Sequence, residues 1–199
     1  LAKPANWIPD RWTLHQFTQM FSINGYVSVP AFKYLMNSVI ISTVSTVIAI
    51  TIGMMGGYAF ARFNFKGKNK IFLSLMLARA VPGISLSLPL FILFAKIGII
   101  NTSFGVIIVY VAMNVPFTIW LTDGFFRQIP KEMSEVARTD GCTRFQAFWN
   151  VELPLAGPGI GAAAIFAFLL SWNEYALASI ITRTVHSKTL PIGMMDYLD

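Results

Sequence analysis

Few side chains in this sequence could do chemistry, and those that could interrupt long apolar runs. Arg79 and Glu174 are charges set within such runs, and Asn114 and the cluster Trp172-Asn173-Glu174-Tyr175 add amides and aromatic faces. An ionised side chain in hydrocarbon is costly, so Arg79 and Glu174 are expected to face protein, a cavity or the interface. Each has a plain rival reading: two charges that hold helices in place, or that snorkel from helix ends. Arg79 lies eight residues into its run and Glu174 eight from the end of its own, which argues against a direct pair. The Trp172 cluster could hold a sugar by ring stacking and hydrogen bonds, or could form an interfacial aromatic belt.

No catalytic chemistry is legible. The only histidines, His15 and His186, are not at metal-ligand spacing, and the single Cys142 excludes an internal disulfide or a cysteine metal cluster. Gly67-Lys68 is followed by Asn69, and Arg62 stands where a phosphate loop needs glycine. No catalytic residue, cofactor or metal is therefore expected.

The elements that position these residues are membrane spans. Of 199 residues 55% are hydrophobic and 12% charged, with a mean hydropathy of +0.62, where a soluble domain carries about 25% charged residues. Charge-poor runs predict helical spans over 34–61, 71–95, 97–122 and 159–182, each long enough to cross ~30 Å of hydrocarbon. The first carries Ser45, Ala49, Gly53, Gly57 and Ala61 at four-residue spacing, a stripe that lets a second helix approach closely. Pro82, Pro89 and Pro116 are expected to bend the second and third spans. Before the first span, Thr13-Leu14-His15-Gln16 fits a capping box, and a short interfacial helix is expected at 14–21. Residues 1–33 then form an external segment, and 34–199 a transmembrane domain.

Basic residues orient the spans. Arg62, Lys66, Lys68 and Lys70 crowd 62–70, and Arg127, Lys131, Arg138 and Arg144 lie in 123–158, so both loops are expected on the cytoplasmic side. Residues 1–33, the turn near 96–103 and the tail 183–199 are expected outside. The long loop reads as two helices, Lys131 to Thr139 and Thr143 to Val151, joined by a turn at Asp140-Gly141 and ended by Leu153-Pro154. Its exposed aromatics suit docking. Nucleic acid is rejected as its partner because four basic residues face five acidic ones.

Glu135-Val136-Ala137-Arg138-Thr139-Asp140-Gly141, then nine residues, then Val151-Glu152-Leu153-Pro154, resembles the EAA loop of binding-protein-dependent ABC importer permeases. Val136 replaces the second motif alanine and Cys142 another. Tyr34-Leu35-Met36-Asn37-Ser38, Arg79 with Pro82, and Trp172-Asn173-Glu174 resemble the carbohydrate importers related to the smaller maltose-permease subunit. The resemblance implies an all-α polytopic membrane bundle, the transmembrane domain of a type I importer in a bacterial or archaeal inner membrane. Family members have six spans, so this chain is expected to lack the first and the last. Also implied are a second permease subunit, an ATP-binding cassette ATPase dimer, an external solute-binding protein and a sugar substrate. Glu135, Ala137, Asp140, Gly141, Leu153 and Pro154 would couple to the ATPase. Asn114, Trp172, Asn173, Glu174 and Arg79 are candidates for the substrate path. Import of a non-sugar solute, an ATPase-independent secondary transporter and a membrane scaffold stay open as alternatives.

Overall fold

The computed structural model describes residues 30–195 together with Leu14. The helix expected at 14–21, with His15, lies outside the described residues except for Leu14. Every regular element among the described residues is helical: α1 (Ala31–Arg62), α2 (Lys68–Ala80), a 3-10 turn (Gly83–Leu86), α3 (Ser87–Ile97), α4 (Ser103–Gln128), α5 (Lys131–Thr139), α6 (Arg144–Ala147), a π turn (Phe148–Glu152), α7 (Leu153–Trp172), α8 (Ala176–Ile181) and α9 (Leu190–Gly193).

α1 and α4 form the centre of the bundle, and α7 packs on both. All five residues of the small-residue stripe are buried. They face a threonine ladder on α4: the Thr118 hydroxyl donates to the Ala49 carbonyl at 3.0 Å, and the Thr122 hydroxyl to the Gly53 carbonyl at 2.8 Å. A Cβ on Gly53 or Gly57 would run into those threonines, so glycine sets the approach of the two backbones. The constant offset shows that α1 and α4 run parallel. The segment between them must therefore return across the bundle. The pairing of Ser45 with Ser171 and of Ala61 with Ala156 makes α7 antiparallel to both.

One apolar core, including Ile41, Tyr110, Phe94 and Ile181, sits at the end where α1 starts. A second, built from Ala61, Phe126, Phe148 and Ala156, sits where α1 finishes. Loops 62–70 and 129–152 therefore share one end of the bundle. The 98–102 turn and the 182–193 tail share the other. There the Asn37 amide donates to the carbonyls of Val185 and Lys188, and the Ser38 hydroxyl accepts from the Leu190 N–H.

Three expected spans need correction. The second is not one helix: α2 and the Gly83–Ile97 helix meet at 92° across Val81-Pro82. Pro82 has no N–H to continue the ladder, and it holds the residue before it extended. Pro89, in contrast, lies in the first turn of α3, where N–H groups have no intrahelical partner, and bends nothing. The third span begins at Ser103, because Gly98 and Asn101 adopt positive φ and Thr102 caps the new helix through the Gly105 N–H. It then runs to Gln128, past the expected end at Thr122. Asp123 accepts from Arg127 at 2.8 Å one turn on, so neither charge needs the helix to stop.

The fourth differs most. Helix Arg144–Trp172 is continuous through the π turn, so the second helix expected in the long loop and the span are one rod. Leu153-Pro154 does not end a helix. The π turn closes with the Leu153 N–H on the Phe148 carbonyl, and Pro154 follows directly, where the shifted hydrogen-bond pattern accommodates its missing N–H. The rod stops at Trp172, and Glu174 lies in the break before α8 rather than inside a span.

Candidate functional site

Two regions gather the residues with chemistry, one at each level of the bundle. The first is the loop end. α5 stands almost free: Met133, Glu135, Val136 and Asp140 are exposed, and only Ala137 is buried. The helix closes in a two-bond turn. The Cys142 N–H donates to the Ala137 carbonyl at 3.0 Å and the Gly141 N–H to the Arg138 carbonyl at 3.2 Å. Gly141 has φ +94°, and no atom lies within 4 Å of where its Cβ would stand. A side chain at Gly141 would crowd nothing within this chain, and backbone strain alone demands glycine. Thr143 and Gln146 form a reciprocal capping box that starts α6. Phe145 and Trp149, both exposed, stack one turn apart with centroids 6.2 Å from each other. Leu153 packs into the second core, whereas Pro154 is exposed.

Beneath α5 lies an ion pair that sequence reading missed. The Arg62 Nε donates to Glu152 Oε2 at 2.5 Å, with side chains 8% and 1% exposed. A second guanidinium nitrogen donates to the Ile129 carbonyl at 3.0 Å. In the sequence Arg62 reads as one of several basic loop residues, and Glu152 as one position of the motif that ends in Leu153-Pro154. The available signal was the placement of Glu152 between Val151 and Leu153 in an apolar run. A cleft of about 180 Å³ opens between this pair and α5, lined by Tyr58, Lys131, Glu135, Arg138 and Arg144 among others.

The second region lies inside the bundle. A cavity of about 240 Å³ is lined by Arg79, Tyr110, Met113, Asn114, Ser171 and Glu174 with Leu170. Asn114 is buried, and its amide donates to the Ser171 hydroxyl at 2.8 Å. Ser171 also accepts from the Ser45 hydroxyl at 3.3 Å, so α1, α4 and α7 meet at one polar node. Glu174 accepts from the N–H groups of Leu177 at 2.9 Å and Ala178 at 3.1 Å, and thus caps α8. Tyr110, absent from the expected set, donates its hydroxyl to the Glu174 carbonyl at 3.1 Å. Arg79 does not pair with Glu174. Its guanidinium lies 4.3 Å from the Phe117 ring centroid, and it also borders a more apolar cavity of about 420 Å³ between α3 and α4.

Trp172 and Asn173 do not line this cavity. Trp172 stacks on Phe168 at 5.6 Å, and the exposed Asn173 amide donates back to the Leu169 carbonyl of its own helix. The structure thus brings Arg79, Asn114 and Glu174 together and sets Trp172 and Asn173 apart.

Residues 49–193 match the family model described as a binding-protein-dependent transport system inner membrane component. An inner membrane ABC transporter permease protein, YcjP, of Escherichia coli is 33% identical over 187 residues, covering 94% of this chain and 66% of that protein. The trehalose transport system permease protein SugB of Mycobacterium tuberculosis is 35% identical over 195 residues, covering 98% and 69%. The chain thus spans about two thirds of the length of these curated relatives. Among solved structures, the fold matches a chain of a bacterial ABC transporter involved in the import of the acidic polysaccharide alginate. The TM-score is 0.72 at 22% identity, over 83% of this chain and 57% of that one. The spacing from Glu135 to Pro154 and the family match meet in one conclusion: the chain belongs to the binding-protein-dependent transport system inner membrane components.

Proposed function

We propose that the chain is a permease subunit of an ATP-driven, binding-protein-dependent importer for a sugar or oligosaccharide. It would work with a second permease subunit, an ATPase dimer and an external solute-binding protein. The observation that carries this reading is α5: a charged helix with exposed Glu135, Met133 and Val136, projected from a bundle end and closed by a positive-φ glycine. Such a helix suits insertion into another protein. The relatives named for trehalose and for diacetylchitobiose transport support the solute class.

In this reading the chain's work is mechanical. Closure of the ATPase dimer displaces α5 and α6, and the continuous rod from Arg144 to Trp172 carries that displacement into the membrane. The cavity between Arg79, Asn114 and Glu174 would form part of the solute path. Loops 62–70 and 129–152 would face the cytoplasm, as their basic residues require. The test is purification of the intact complex and measurement of ATP hydrolysis with and without trehalose and diacetylchitobiose. Retention of an ATPase that either sugar stimulates supports the reading. A chain that retains no ATPase refutes it and favours a secondary transporter.

A further inference from the structure

The loop between α4 and α7 is a docking unit with two ends, and one side chain touches both. Arg62, the last residue of α1, donates to the Ile129 carbonyl just before α5 and to the Glu152 carboxylate just after α6. Tyr58, one turn earlier, fills the same gap: its ring lies 5.4 Å from Phe126 and 4.5 Å from Phe148. The end of α1 is thus wedged between the entry and the exit of the unit. Glu152 sits on the π turn, where the rod from docking helix to span changes its hydrogen-bond pattern. Its other oxygen, Oε1, is buried with no hydrogen-bond partner among the described residues.

A buried ion pair is a poor way to gain stability. Apolar residues of similar size at such a site are often neutral or better, because two charges must be stripped of water. The neighbouring pair of Arg127 with Asp123 differs, since Arg127 is half exposed and reaches only the Phe60 carbonyl of α1. What Arg62 adds is geometry: five donors in a rigid fork can hold two acceptors on different segments at once.

We propose that Arg62, held by Glu152, is a positioning residue that clamps both ends of the docking unit to α1. A displacement of α5 then reaches the α1–α4 pair as the motion of one body. The inference rests on the transport reading above, and its test separates the two. Spin labels at exposed Thr139 and Asn64, in a Cys142→Ser background, report the distance from α5 to the end of α1 in the reconstituted complex. The unmodified clamp should give one narrow distance, the same with and without magnesium-ATP.

Arg62→Met with Glu152→Leu keeps the core apolar and should retain the ATPase. Its distance should shift on ATP addition by more than the width of the original distribution. Arg62→Lys keeps the charge but has one nitrogen for two segments, and it should broaden the distance even if the double variant fails to assemble. An unshifted, narrow distance in whichever variant retains the ATPase overturns the clamp while leaving the transport reading intact. If the unmodified chain retains no ATPase, the transport reading and the clamp fall together.

Discussion

Asn114 and Ser171 meet across the contact of α4 and α7, the amide donating to the hydroxyl at 2.8 Å with both residues buried. Asn114→Ala leaves Ser171 and the Ala167 carbonyl without that donor. The loss should be about 1–3 kcal/mol, read as a lower melting temperature of the detergent-purified protein by circular dichroism. Asn173→Ala should stay within about 0.5 kcal/mol of the parent, since that amide is exposed and serves its own helix. Equal losses in both variants would remove the special place given to the node.

Two glycines should answer differently to a side chain. Gly141→Ala meets no neighbouring atom, so its cost should be that of positive φ alone, about 1 kcal/mol. Gly57→Val drives a branched side chain into Thr122 and the Asp123 backbone, and should cost about 3 kcal/mol or more. Chemical denaturation of both variants gives the comparison. A larger loss at Gly141 would show contacts there that the chain alone does not make.

Glu174 caps α8 with two oxygens, so Glu174→Gln should keep one acceptor and most of the stability. Glu174→Ala should lose about 1–2 kcal/mol. Protection of the Leu177 and Ala178 amides in hydrogen exchange reports the cap directly. Unchanged protection in Glu174→Ala would mean that the carboxylate serves the cavity instead.

Sidedness can be read with single cysteines in a Cys142→Ser background. Asn69→Cys and Lys96→Cys should react with a membrane-impermeant maleimide from opposite faces, Asn69 from the cytoplasm. Asn101 is less suitable, since it holds a positive φ and its side-chain oxygen accepts from the Arg183 N–H. Reaction of both from one face would contradict the bundle geometry as well as the charge rule.

Docking should depend on the exposed face of α5. Glu135→Lys and Val136→Asp change exposed positions, so the chain should fold as before while retained ATPase falls about tenfold, equivalent to ~1.4 kcal/mol of contact. Full retention in both variants would move the docking element elsewhere.

The parts of this fold legible in the sequence were those governed by local rules. The four-residue stripe from Ser45 to Ala61 declared a close helix contact, and Gly141 declared a helix end. Span limits failed where a charge or proline was accommodated by its own helix. Asp123 and Arg127 stay helical because each answers the other, and Pro154 stays helical because the π turn absorbs its missing N–H. Glu174 looked like an intramembrane charge because nothing local marked the break at Asn173. Of the interior candidates, Arg79, Asn114 and Glu174 converge on one cavity, but the separation of Trp172 and Asn173 from it depends on which way the last turn of α7 faces. That is set by packing, not by spacing.

The π turn at 148–152 also fixes an angle. It inserts one residue into an otherwise regular rod, so everything before it is rotated by about 100° relative to the span after it. Phe145 thus points where a plain α-helix would have placed a neighbour in sequence. Removing one residue from 148–152 would take out the inserted residue and leave Pro154 to interrupt a plain α-helical ladder. The loop's composition and hydropathy would hardly change, yet the aromatic face of α6 would swing by a quarter turn about the axis of α7. The direction in which Phe145 and Trp149 face is therefore written in a residue count, and insertions or deletions here should be far less tolerated than substitutions at the same positions.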